Sequence, residues 1–344
     1  MALVLQCIFT CTAFFMCFGL THGKVEGRFN RRLLDHQTIY VDPSSHTSFQ
    51  TIQAAIDSVS SNNKKWITIS IKAGNYNEEV KIPPDKPFLY LKGEGIGKTN
   101  VVWGAHDRML TSATFASMAD NILVSGITFV NSYNYPPRKG GNPVMPALAA
   151  KISGDKSAFY ECSFLGYQDT LLDDQGRHYF KQCTIVGATD FIFGGGQSIY
   201  EKCTISVNTG TLDPGSTGFI AAQARARPND PSGFVFKQCI VNGNGKTFLG
   251  RAWKPYSRAI YYESFFSNIV VSQGWDAWNY NVFMVVLIRN QITFAENQCQ
   301  GPGSNKSNRI KWEKNLSPQE WQSFTSNSYI DNEGWIQRLP LKIL

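Results

Sequence analysis

The sequence predicts an all-β fold, a right-handed parallel β-helix wound as a single-stranded solenoid with a capping helix at its N-terminal end. Three observations lead there. Four segments read alike: Phe159-Tyr-Glu-Cys162-Ser-Phe, Phe180-Lys-Gln-Cys183-Thr-Ile, Tyr200-Glu-Lys-Cys203-Thr-Ile and Phe236-Lys-Gln-Cys239-Ile-Val, with cysteine spacings of 21, 20 and 36. Self-similarity at such a period marks a repeat architecture. Each segment is a β-branched and aromatic stretch ended by Gly, Asn or Asp, and no helical pattern lies between them. A period near 20 residues leaves no room for the crossover helix of a βαβ unit. Finally, the chain has 23 Phe, 14 Tyr and 8 Trp, 13% aromatic in all, which suits a β-rich or carbohydrate-binding protein better than a helical bundle.

The elements follow in chain order. Residues 3–20 form an apolar run ending in small and polar residues near Gly23, read as a secretory signal peptide over residues 1–23. Residues 24–39 form a short N-terminal segment, and residues 40–344 a single β-helix domain without an internal linker. Phe49, Ile52, Ala55, Ile56 and Val59 fall on one helical face, with Ser48 at the N-cap; this helix closes the open end of the solenoid. The alternation of Trp66-Ile-Thr-Ile-Ser-Ile71 starts the coils. Residues 131–146, rich in Asn, Pro and Gly, make a long loop, and the stretch from Gln300 to Leu344 a tail packed along the barrel.

With 42% hydrophobic and 17% charged residues the chain is not disordered. Its 33 basic and 26 acidic residues give a net charge of +7, which points to an acidic partner. The basic residues are scattered and carry no readout motif, which argues against nucleic acid. Apart from the leader, no segment is long and apolar enough to span a membrane. Of eight cysteines, Cys7, Cys11 and Cys17 leave with the signal. Cys162, Cys183, Cys203 and Cys239 form a ladder in which neighbouring Cα atoms lie about 4.8 Å apart, and Cys299 has no place in it. That spacing admits a disulfide, or a stack of small buried thiols.

Asp169 and Asp190 lie 21 residues apart, the same step as Cys162 to Cys183. They therefore occupy one position on adjacent coils, with carboxylates roughly 5 Å apart. Such closeness raises one pKa, so one group stays protonated while the other is ionised. That pairing suits an acid and a nucleophile. Phe191, Ile192 and Phe193 surround Asp190 with apolar bulk. Leu249-Gly-Arg251-Ala-Trp253 supplies a cation able to grip a carboxylate and a flat ring able to meet a sugar.

Taken in order, Gly74-Asn-Tyr76-Asn-Glu78, Gln168-Asp169-Thr170-Leu171, Asp190-Phe-Ile-Phe-Gly194 and Leu249-Gly-Arg251-Ala-Trp253 resemble the plant pectin methylesterases from about Tyr40 to Pro340. The resemblance implies a parallel β-helix and hydrolysis of C6 methyl esters of cell-wall homogalacturonan. In that reading Asp190 is the nucleophile, Asp169 the acid and base, Gln168 an oxyanion donor, Arg251 the anchor of Asp190, and Trp253 a substrate contact. It implies a Cys183–Cys203 disulfide, no metal and no cofactor. It also implies a secreted, extracellular monomer acting in the cell wall on an anionic polysaccharide, with a pectinesterase inhibitor protein as a candidate partner.

The chain departs from that pattern at Pro146, where the family has a second oxyanion glutamine, and at Ala252, where it usually has proline. Its apolar residues 282–290 replace a short polar, Gly-rich stretch. Arg31-Arg-Leu-Leu34 resembles a processing site whose pro-domain is missing. Two other readings stay open: a catalytically impaired pectin binder, and another pectin-degrading β-helix enzyme, since paired carboxylates also suit a retaining glycosidase.

Overall fold

Short strands and sharp turns lay each strand beside its counterpart one repeat on, so the chain winds into coils. The computed structural model describes residues 37–108, 112–133, 135–136, 144–209, 212, 215–278 and 290–343. Among these residues there are three parallel sheets. The first has ten strands, from Gln37–Val41 to Thr293–Asn297. The second has eight, from Gly74–Tyr76 to Phe265–Phe266, and the third eight, from Val80–Ile82 to Trp275–Asp276. Each coil visits them in turn: Arg177–Lys181, Thr184–Gly187 and Thr189–Gly194 are followed by Gln197–Glu201, back beside Arg177–Lys181. The fold is the parallel β-helix that the repeats predict.

The four like segments fall into register. Phe159, Phe180, Tyr200, Phe236 and then Tyr261 occupy one inward position on successive strands of the first sheet. Their rings stack with centroids 5.1, 4.6, 4.8 and 4.4 Å apart. Strand spacing sets this distance, and aromatic pairs add about 0.5–1.5 kcal/mol beyond the area that they bury.

Between the first and second sheets the corner repeats as well. Glu161, Gln182, Lys202, Gln238, Glu263 and Gln298 all sit in the left-handed region, with φ of 49°, 54°, 54°, 55°, 51° and 54°. Each turns the chain inward to the next residue: Cys162, Cys183, Cys203, Cys239, Ser264 and Cys299. Cys299, unassigned by the repeats, is thus the last rung of the ladder. The implied Cys183–Cys203 disulfide is not what the structure holds: Cys162, Cys183, Cys203, Cys239 and Cys299 are free thiols. Cys183 Sγ donates to the Phe159 carbonyl and Cys203 Sγ to the Phe180 carbonyl, both at 3.4 Å, so each sulfur is directed at backbone of the preceding coil.

At the N-terminal end the helix spans Ile52–Asp57 and buries Ile52, Ala55 and Ile56. Its N-cap is Thr51, not Ser48. Phe49 is engaged in extended pairing, donating to the Tyr40 carbonyl at 3.0 Å and accepting from Asp42 at 2.9 Å, so the helix starts later. Glu78 caps it from outside, accepting from Ile52 N at 2.8 Å and Gln53 N at 2.9 Å. This gives the Gly74–Glu78 motif a structural task, a carboxylate at a helix N-terminus. The first sheet opens with Gln37–Val41, ahead of both the expected first strand at Trp66 and the boundary at Tyr40. The signal peptide, Cys7, Cys11, Cys17, Arg31-Arg-Leu-Leu34 and residues 282–289 lie outside the described residues.

The tail packs along the barrel as expected. Ile330, Trp335, Ile336, Leu339 and Ile343 cover Leu123, Ala158, Tyr179, Ile199, Val235, Ile260 and Ala295 on the outer face of the first sheet. The outer face of the third sheet is left for the site.

Candidate active site

The strands of the third sheet are entered through a repeated turn. Gly166 and Gly187 begin it. A Cβ on Gly166 would lie 2.6 Å from Thr170 Oγ1, and one on Gly187 would lie 2.2 Å from Phe191 Cβ. Only glycine lets the residue four places on fold back so closely. Asp169 and Asp190 then sit in the left-handed region, with φ of 58° and 48°. Few residues other than glycine tolerate that conformation, and Asp is among them. Downstream, Leu171 pairs with Ile192, which keeps the 21-residue step between the two carboxylates. The structure therefore brings Asp169 and Asp190 to one place on adjacent coils.

Gln168 lies in the same ladder, bridged to Thr189 on one side and to Pro146 on the other. Pro146 thus occupies the Gln168 position one coil earlier and offers no side-chain donor there.

Arg251 comes from the strand Thr247–Ala252. Its Nε donates to Asp190 Oδ1 at 2.7 Å, and its Nη2 donates to Oδ2, a bidentate grip. The guanidinium lies between two rings, 4.0 Å from the Phe219 centroid and 3.6 Å from that of Trp278. Phe219 stacks in turn on Phe248 at 5.1 Å. A planar cation held between aromatic faces keeps its hydrogen-bonding edge directed at one acceptor. Sequence reasoning missed Phe219 and Trp278. Phe219 had a faint signal, since it pairs in register with both Thr189 and Phe248; Trp278 had none.

Ala113, Ala116, Leu148, Leu172, Phe193 and Ala222 form an apolar floor, against which Trp253 and Trp278 pack. Trp253 meets Phe193 at 5.9 Å, ring to ring. Of the three apolar neighbours of Asp190 read from the sequence, Phe193 lies in this floor, while Phe191 and Ile192 point into the solenoid core.

Asp169 and Asp190 are each 7% exposed. Burial, then the charge of Asp190, push the Asp169 carboxyl up to about 7, with Arg251 pulling it back. Burial also pushes Asp190 up, against the hydrogen bonds and charge of Arg251. Among the described residues the arginine grips Asp190 and not Asp169, which favours the ionised form of Asp190 over that of Asp169. The site thus joins a carboxylate paired with arginine, a carboxylic acid near neutrality, and an apolar floor.

The Pectinesterase family model matches residues 38–333. "Probable pectinesterase 29" of Arabidopsis thaliana is 50% identical over 327 residues, covering 94% of this chain and 95% of that protein. The solved pectin methylesterase from carrot superposes with a TM-score of 0.80 at 28% identity, covering 88% of this chain and 96% of its own. A pectin methylesterase solved in complex with a hexasaccharide shares the fold, with a TM-score of 0.72 at 23% identity over 86% of this chain and 97% of its own. Coil register, the carboxylate pair and a match over nearly the whole described chain converge: the chain belongs to the pectinesterase family of carboxylic ester hydrolases.

Proposed function

We propose that the protein is a pectin methylesterase that demethylates galacturonan, and that Asp190, Asp169, Gln168, Arg251 and Trp253 carry the reaction. One observation supports this above the rest: of two adjacent buried aspartates, Arg251 holds only one. Asp190 attacks the C6 carbonyl carbon of the ester. Gln168 donates toward the oxygen on which negative charge develops. As the carbon–methoxy bond breaks, the Asp169 carboxylic acid passes its proton to the departing oxygen, and methanol leaves. The remaining acyl group is an anhydride with Asp190. Asp169, now a carboxylate, takes a proton from water; the hydroxide attacks the acyl carbon, and the Asp190 carboxylate departs. Trp253 offers a face to the sugar ring. The protein acts as a secreted monomer in the plant cell wall.

The test is methanol release from highly methylated pectin by the mature chain. Asp190→Ala is expected to abolish turnover with the fold intact by circular dichroism. Methanol at the parent rate from that variant would overturn the assignment.

Pro146 favours a second reading, a pectin binder of low turnover. One missing oxyanion donor costs about 10²–10³ in rate. If Pro146→Gln raised kcat by that order, the deficit would be located there.

A further inference from the structure

One and two coils before Asp169, the corner between the second and third sheets carries aromatic side chains that the reaction above does not use. Trp103 pairs in register with Asn131. Val130 pairs with Leu165, and Leu165 with Val186. Trp103 and Asn131 therefore stand where the next two coils have Gly166 and Gly187, the glycines that lead into the catalytic pair. At about 4.8 Å per coil, the Trp103 position is about 10 Å from Gly166 along the solenoid axis.

The loops leaving these two positions are tied together. Asn131, fully buried, donates from Nδ2 to the Ala105 carbonyl at 2.8 Å and the Leu148 carbonyl at 3.0 Å. Its Oδ1 accepts from Tyr133 N at 3.0 Å, and Ser132 N donates to the Trp103 carbonyl at 2.8 Å. Held this way, His106 and Tyr133 stack face to face, with centroids 3.4 Å apart and planes 18° from parallel. Trp103, whose carbonyl is bonded to the loop that carries Tyr133, is 39% exposed and leaves its ring open to a ligand. Rings fixed in advance by a buried amide bind without an ordering cost. A pyranose has a C–H face and a rim of hydroxyls, which suits aromatic faces carrying polar edges.

We propose that Trp103 and the His106–Tyr133 stack form an additional sugar subsite, which takes a pyranose ring of the same galacturonan chain beyond the unit bound at Asp190. The proposal rests on the pectin methylesterase reading. These rings stand on the side of Asp169 away from Trp253, so they extend the contact toward the earlier coils, and their contribution grows with the length of the galacturonan chain.

The test compares the parent with Trp103→Ala and Trp103→Ala/Tyr133→Ala on methyl-esterified oligogalacturonides of graded length. The expected loss in kcat/KM is at most about twofold on the shortest oligomers turned over and about tenfold on those long enough to reach two coils, mainly through KM. An equal loss at every length would show a merely structural role and overturn the subsite, as would no loss on long oligomers. A second arm measures binding of a long, fully demethylated oligogalacturonide to Asp190→Ala protein, with and without Trp103→Ala. Weakened binding supports the subsite, and unchanged or absent binding overturns it. If no form releases methanol, the esterase reading fails, and this arm still decides the subsite.

Discussion

Arg251 is where charge geometry matters most. It meets Asp190 through two parallel hydrogen bonds while lying between Phe219 and Trp278. A lysine can supply the charge but neither the fork nor the flat face. Arg251→Lys is therefore expected to lower kcat by about 10²-fold or more with little change in melting temperature. A near-parent kcat would show that charge alone suffices. Asp169 carries the opposite stress. Its carboxyl is pushed up to about 7 from 3.8. Below the unfolded value both states are protonated, and nothing is lost. As pH rises from about 4 to about 7 the unfolded chain ionises while the folded site does not, so stability falls across that window. Asp169→Asn escapes this, and is expected to gain on the order of 1–3 kcal/mol at pH 8 and about nothing at pH 3, while losing activity. Denaturant melts at the two pH values check it; equal gains at both would remove the electrostatic explanation.

The thiol ladder shows how an element repeats. Burial raises the thiols of Cys162, Cys183 and Cys203 well above their ordinary value and pushes Cys299 up to about 12. A thiol that cannot ionise does not react. A chain lacking residues 1–23 is expected to resist an aromatic disulfide reagent when native and to titrate five thiols when unfolded, the free cysteines among the described residues. A count of three on unfolding without reductant would mean that one pair had oxidised. The ladder was legible as a spacing, because stacked coils place equivalent residues together. Its last rung was not, because Ser264 interrupts the cysteines and only the repeated left-handed corner links Cys299 to the others. The N-terminal helix shows the converse. Its apolar face was legible, but its start was not, since Phe49 is drawn into pairing with Val41 by a strand lying outside the apparent repeat.

For the whole molecule the tail matters as much as the coils. Trp335 is 3% exposed, donates from Nε1 to the Ile330 carbonyl at 2.7 Å, and packs over the outer face of the first sheet. Trp335→Ala is expected to cost about 3–5 kcal/mol, since it opens a cavity and uncovers apolar surface. Stability within about 1 kcal/mol of the parent would mean that the tail is not part of the cooperative unit. The site itself lies on the opposite kind of surface, a sheet face that the described tail residues leave open and whose floor is apolar.

Taken alone, the sequence determined the coil. A period near 20 residues with inward aromatics and cysteines allows little but stacked parallel strands, and the equal step between two aspartates put both on one rung. Those are properties of local pattern and strand spacing. Tertiary structure decided which aspartate meets the guanidinium, because Arg251 lies 61 residues from Asp190. It also decided how the arginine is aimed, through Phe219 and Trp278, and where the aromatic wall beside Asp169 stands. Phe219 and Arg251 lie on the next two strands of the same sheet, but insertions lengthen the steps between those strands, so the spacing of the aspartates does not announce the meeting.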